Sequence, residues 1–102
     1  MDIETLIRQL GISREDVLEL VELFIETARD DINKIRTCLA ANDAQGVAMA
    51  SHSIKGASSN LWLTEMAELT KKMEAEARDG NLTHFADYLS TLESQIALME
   101  SP

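Results

Sequence analysis

Apolar residues recur along the chain at intervals of three and four, and breakers divide that pattern into five segments. From Asp2 to Leu10, the residues Ile3, Leu6, Ile7 and Leu10 share one side, with Asp2 available as a cap. This predicts a short helix that needs a surface to lie on. Gly11 ends it, and Ser13-Arg14-Glu15-Asp16 follows as a capping-box arrangement with Asp in the usual Glu position. Ile12 and Val17 are placed to form a hydrophobic staple, so a second helix is predicted from Arg14. Its inward stripe reads Val17, Leu20 or Val21, Phe24, Ala28, Ile32 with Ile35, and Leu39. That helix spans about 26 residues, or roughly 40 Å.

Asn42 or Asp43 then caps a third helix through Val47, Ala50, Ile54 and Leu61, with the small Ala57 and Ser58 beside the stripe. A break near Trp62 to Thr64 precedes a fourth helix carrying Met66, Leu69, Met73 and Ala77, with Arg78 in its last turn, where a cation complements the helix dipole. Asp79-Gly80-Asn81 turns the chain. Leu82, Phe85, Leu89, Leu92, Ile96 and Met99 supply a fifth helix, after which Ser101 and Pro102 fray. Four longer helices joined by short loops predict an all-α, antiparallel four-helix bundle with an additional short N-terminal helix. No linker, repeat or low-complexity tract interrupts this pattern, so residues 1–102 are expected to form one domain.

Composition narrows the function. Nine Lys and Arg against 18 Asp and Glu give a net charge of −9, which opposes nucleic acid and anionic membrane surfaces as partners. The lone Cys38 excludes an internal disulfide and a Cys-rich metal site, and no apolar run approaches a membrane span. A soluble, cytoplasmic protein of a reducing compartment is the expectation.

The third helix carries the candidate chemistry. At about 100° per residue, Val47, Ile54, Ser58 and Leu61 project one way, while Gln45, Met49, His52, Gly56 and Ser59 project roughly the other. His52 is therefore expected to face solvent. Gly56 lies one turn onward, in a helix interior where glycine costs about 1 kcal/mol relative to alanine. Its missing side chain clears space beside the imidazole. Between Ala44 and Thr64 the only formal charge is Lys55, three residues beyond His52, and Ser59 offers a hydroxyl two turns away. Such a face suits a nucleophilic imidazole that temporarily carries a phosphoryl group, with Nδ1 holding the proton and an exposed Nε2 attacking. Lys55 would offset phosphoryl charge. No carboxylate is expected near His52 to complete a metal site or triad, and no glycine-rich phosphate loop is present. Autonomous kinase or ATPase activity is accordingly not expected. His84, near the start of the fifth helix, reads as incidental.

The run Ala50-Ser51-His52-Ser53-Ile54-Lys55-Gly56-Ala57-Ser58-Ser59-Asn60-Leu61 closely resembles the His-x-Leu-Lys-Gly-Ser/Ala-Ser/Ala signature of histidine-containing phosphotransfer domains. The resemblance implies a helical bundle in which His52 forms a phosphohistidine, taking phosphate from a receiver-domain aspartate and passing it to another within a two-component phosphorelay. It implies that Lys55 accommodates the phosphoryl group and that Gly56 leaves room for the receiver. Response-regulator receiver domains are the implied partners, with a hybrid sensor histidine kinase as a further one. The chain itself would bind no cofactor and no metal, Mg²⁺ belonging to the partner receiver. The partner surface is expected to include Ala48, Met49, Ser59 and Trp62, and a monomer is the simpler default.

Trp62 departs from the family pattern, which usually has glycine ten residues after the histidine. Tryptophan adopts positive φ less readily than glycine. Three outcomes stay open: an extended third helix, a shifted turn, or an indole near the receiver-binding surface. The rival function is a non-phosphorylated helical adaptor that binds a receiver or kinase domain through the same face. A weaker alternative is a structural bundle whose exposed histidine has no role.

Overall fold

The computed structural model describes residues 3–100, which build five helices: α1 (Ile3–Leu10), α2 (Arg14–Ala40), α3 (Ala44–Asn60), α4 (Thr64–Arg78) and α5 (Phe85–Glu100). Asp2, expected as the cap of α1, and Ser101 and Pro102, expected to fray, lie outside the described residues. The helices pack as an elongated bundle of 42 × 20 × 17 Å. α3 lies between α2 and α4, α5 closes against α4 and α2, and α1 lies along α2. The all-α bundle with a short leading helix is the architecture that the hydrophobic spacing predicts.

Several boundaries have a visible local cause. Ser13 accepts from the amide of Asp16 and Asp43 from that of Gly46, so both helices begin at side-chain caps. Three helices end alike. The amides of Asn42, Trp62 and Gly80 bond to the carbonyls of Leu39, Ser59 and Ala77, and those of Asp43, Leu63 and Asn81 reach back to Cys38, Ser58 and Glu76. These paired bonds form a Schellman turn, whose pivot takes a left-handed backbone. Asn42, Trp62 and Gly80 accordingly have φ of 53°, 59° and 78°. Trp62 thus does not extend α3, and serves as the left-handed pivot of the turn that ends it. It occupies the glycine position with the glycine conformation.

The interior is a run of buried apolar side chains from the four longer helices. Phe24, Ile32 and Ile35 of α2 meet Val47 and Ile54 of α3, Met66 and Met73 of α4, and Phe85, Leu92 and Ile96 of α5. A smaller cluster of Leu6, Val17 and Val21 seats α1, and Leu10, Ile25 and Met99 pack against both clusters. Of the two candidates in the second helix, Val21 turns inward and Leu20 stays exposed. Arg29 and Arg36 of α2 pair with Glu100 and Glu93 of α5, and Arg14 pairs with Glu4, across the helix seams.

Candidate functional site

α3 turns Val47, Ala50, Ser51, Ile54 and Ser58 into the bundle. The buried hydroxyls of Ser51 and Ser58 donate to the carbonyls of Val47 and Ile54 at 2.8 and 2.6 Å, so they satisfy themselves within the helix. Small self-satisfied residues let α4 lie close. His52 stands on the opposite side with 60% of its side chain exposed, as its helical phase predicts.

What α4 brings to His52 overturns the expectation that no carboxylate stands beside it. Glu74 lies across the seam with only 9% of its side chain exposed, and His52 Nδ1 is 3.1 Å from both its oxygens. Lys55 Nζ reaches Oε1 at 2.8 Å. Arg78 places Nε and an Nη on Oε2 at 3.0 and 2.5 Å. Burial pushes the Glu74 carboxyl upward, but hydrogen bonds from Lys55, Arg78 and His52, with the Lys55 charge, outweigh it and hold the group down to about 2. An ionised carboxylate only accepts, so Nδ1 carries the ring proton and donates it to Glu74. The lone pair is left on Nε2, which has no partner among the described residues. Lys55 is therefore engaged rather than free, and the histidine face, expected to hold only that one charge, carries three charged groups.

The surroundings of the ring are open. A Cβ built on Gly56 meets nothing within 4 Å. Beyond Gly56, Ser59 and Trp62 line a shallow groove with Lys55 and Lys71, and the Trp62 indole is 58% exposed. On the other side of His52, Met49 is 66% exposed beside Arg78. Ala48 is a correction. It was expected to face outward, but at 3% exposure it belongs to the core, because α4 packs against that side of α3 and widens its buried arc.

Two neighbours frame the site. Ser53, next to His52, donates to buried Asp31 of α2 at 2.6 Å. His84 lies elsewhere, its Nδ1 3.3 Å from Glu76, which also accepts from Tyr88 at 2.5 Å. Among the described residues, no group of three or more His, Cys, Asp or Glu is arranged to hold a metal ion, and no helix is long and apolar enough to cross a membrane.

The site's Glu74 was missed because it lies 22 residues from His52 on an acid-rich helix. A signal was present. Thr70 and Glu74 continue the inward stripe of Met66, Met73 and Ala77 as polar members at i,i+4 spacing, and Arg78 follows at the next such step.

The family model described as Hpt domain matches residues 19–101. The crystal structure of histidine-containing phosphotransfer protein B (HptB) from Pseudomonas aeruginosa PAO1 is similar with a TM-score of 0.84 at 25% identity, over 97% of this chain and 86% of that one. No curated protein sequence matches the chain.

Proposed function

The chain belongs to the Hpt domain family, proteins of histidine phosphotransfer in phosphorelays, and we propose that His52 is the residue that accepts and donates the phosphoryl group here. Hpt domains work with receiver domains and histidine kinases, so the substrate of this site is a protein carrying an aspartyl phosphate. The observation that carries the reading is the His52–Glu74 contact at 3.1 Å on an otherwise open ring. It fixes the proton on Nδ1 and turns the unshared pair of Nε2 toward solvent.

The step balances without a group retained by this chain. The Nε2 pair attacks phosphorus, a P–N bond forms, and the P–O bond to the aspartate breaks, its electron pair leaving on the aspartyl carboxylate. Nδ1 keeps its proton, so the ring becomes cationic as the bond forms. Glu74 stands where that charge develops, a fixed anion needing no reorganisation. Lys55 lies within the same network and supplies positive charge for the phosphoryl oxygens. Mg²⁺ is needed on the receiver, whose aspartate is the leaving group. Gly56, Ser59, Met49 and Trp62 form the surface that the receiver covers, and the partners separate after transfer, as a relay requires. We place the chain in the cytoplasm as a monomer, consistent with its free Cys38 and its acidic surface.

Incubation with a phosphorylated receiver domain and Mg²⁺ tests the proposal. Acid-labile, alkali-stable label is expected on the wild-type chain and none on His52→Ala. Label that persists in the variant removes His52 from the role. Receiver binding that survives His52→Gln, with no phosphohistidine from any competent donor, establishes the adaptor instead.

A further inference from the structure

Glu74 accepts from two cations, whereas one suffices to neutralise it. Lys55 holds Oε1 at 2.8 Å, and Arg78 holds Oε2 through Nε and an Nη at 3.0 and 2.5 Å. The second cation is in excess while His52 is bare. A phosphoryl group on Nε2 adds nearly two negative charges beside Lys55 and so competes for its ammonium. Were Lys55 the sole partner of Glu74, its departure would strand a carboxylate that is nine-tenths buried, and an uncompensated buried charge is strongly unfavourable.

The two cations differ in freedom. Lys55 is a point charge on a flexible stem, carried by α3 three residues beyond His52. Arg78 is a planar fork making two bonds to one oxygen, and it pairs within α4 in the favourable order, Glu four residues before the cation. Lys55 is the one built to move.

We propose that Arg78 is a positioning residue: it retains Glu74 in its charged place, so that Lys55 exchanges Glu74 Oε1 for a phosphoryl oxygen on His52 while Nδ1–H stays on Glu74. The exchange trades one hydrogen-bond acceptor for another and moves no proton. It rests on the reading of His52 as the phosphoryl acceptor. The competing role for Arg78 is as a cation at the end of α4, which acts on helix stability alone.

Loading the chain with potassium phosphoramidate tests this without any receiver. Nε2 attacks phosphorus and ammonia leaves with the electron pair of the broken P–N bond. The readouts are the ¹⁵N signals of the His52 ring and the Lys55 ammonium, and the lifetime of the phosphohistidine. In the wild type, loading is expected to shift the Lys55 signal while Nδ1 keeps its hydrogen-bonded proton. In Arg78→Ala the Lys55 signal should stop responding and the lifetime should shorten about fivefold, the worth of one hydrogen bond. Arg78→Lys should restore part of both. An Arg78→Ala chain with lower thermal stability but an unchanged Lys55 response and lifetime overturns the proposal, as does loading at His84 in place of His52. If Arg78→Ala fails to fold, Arg78→Gln, which keeps a donor without the charge, is read by the same criteria. A wild-type chain that phosphoramidate loads with the expected Lys55 shift, but that no phosphorylated receiver labels, supports the exchange while rejecting the relay reading.

Discussion

The hydroxyl of Ser53 donates to Asp31 Oδ2 at 2.6 Å, tying the residue beside His52 to the second helix. Asp31 is buried, and the Lys34 Nζ that pairs with it stands 3.9 Å away on a largely exposed side chain. Removing the hydroxyl leaves a carboxylate with poor compensation. Ser53→Ala is expected to lower stability by about 1–3 kcal/mol, read as a shift in the urea midpoint at constant slope. A shift below about 0.5 kcal/mol means that water replaces the hydroxyl at no cost.

Glu74 gives stability a sign with pH. Its carboxyl titrates at about 2 in the folded chain against an ordinary 4.5, so the unfolded chain binds the proton more readily. The stabilisation is full above pH 4.5 and is lost as pH falls from there toward 2. The difference in urea stability between wild type and Glu74→Gln should therefore be constant in neutral solution and shrink across that acid window. A difference that is flat throughout would mean that Glu74 is not held ionised by its neighbours.

Two glycines on α3 should respond in opposite directions to the same substitution. A Cβ on Gly56 meets open space, so Gly56→Ala should raise stability by about 0.5–1 kcal/mol through helix propensity while slowing transfer from a receiver. A Cβ on Gly46 would sit 2.5 Å from Asp43 Oδ2 and from Cys38 Sγ, displacing the carboxylate that caps the helix. Gly46→Ala should cost about 0.5–2 kcal/mol. Thermal unfolding of the pair, with single-turnover transfer on the first, checks both.

At position 62 the left-handed backbone strains any side chain, and most of all a β-branched one. Trp62→Gly relieves roughly 1 kcal/mol of strain and gives back a similar amount in chain entropy and lost apolar contact, so its midpoint should move by less than about 1 kcal/mol. Trp62→Val keeps the strain without the indole and should lose about 1 kcal/mol or more. Equal midpoints for the two variants would show that the turn relaxes out of its left-handed form.

Local rules made the bundle legible. Caps at Ser13 and Asp43 and the three-to-four spacing of apolar residues placed four of the five helix starts within a residue or two. The start of α5 lay further along, at Phe85, because Leu82 packs from the preceding turn. The outward histidine and the open Gly56 also followed from helical phase. What stayed hidden depends on which helix packs on which. Glu74 is one acid among 18 until α4 is laid against α3, and Ala48 faces outward until the same contact covers it. Asp31 likewise sits within an apolar stripe, and the Ser53 hydroxyl that satisfies it comes from the neighbouring helix.

Trp62 is the one tryptophan of the chain, half in water on the rim of the groove that also holds Lys55 and Ser59. Its emission therefore reports from a single place, the rim of that groove. A receiver settling over that rim would exclude solvent from the indole and blue-shift the spectrum, so each docking and release can be followed in real time, without a dye, in the unmodified protein.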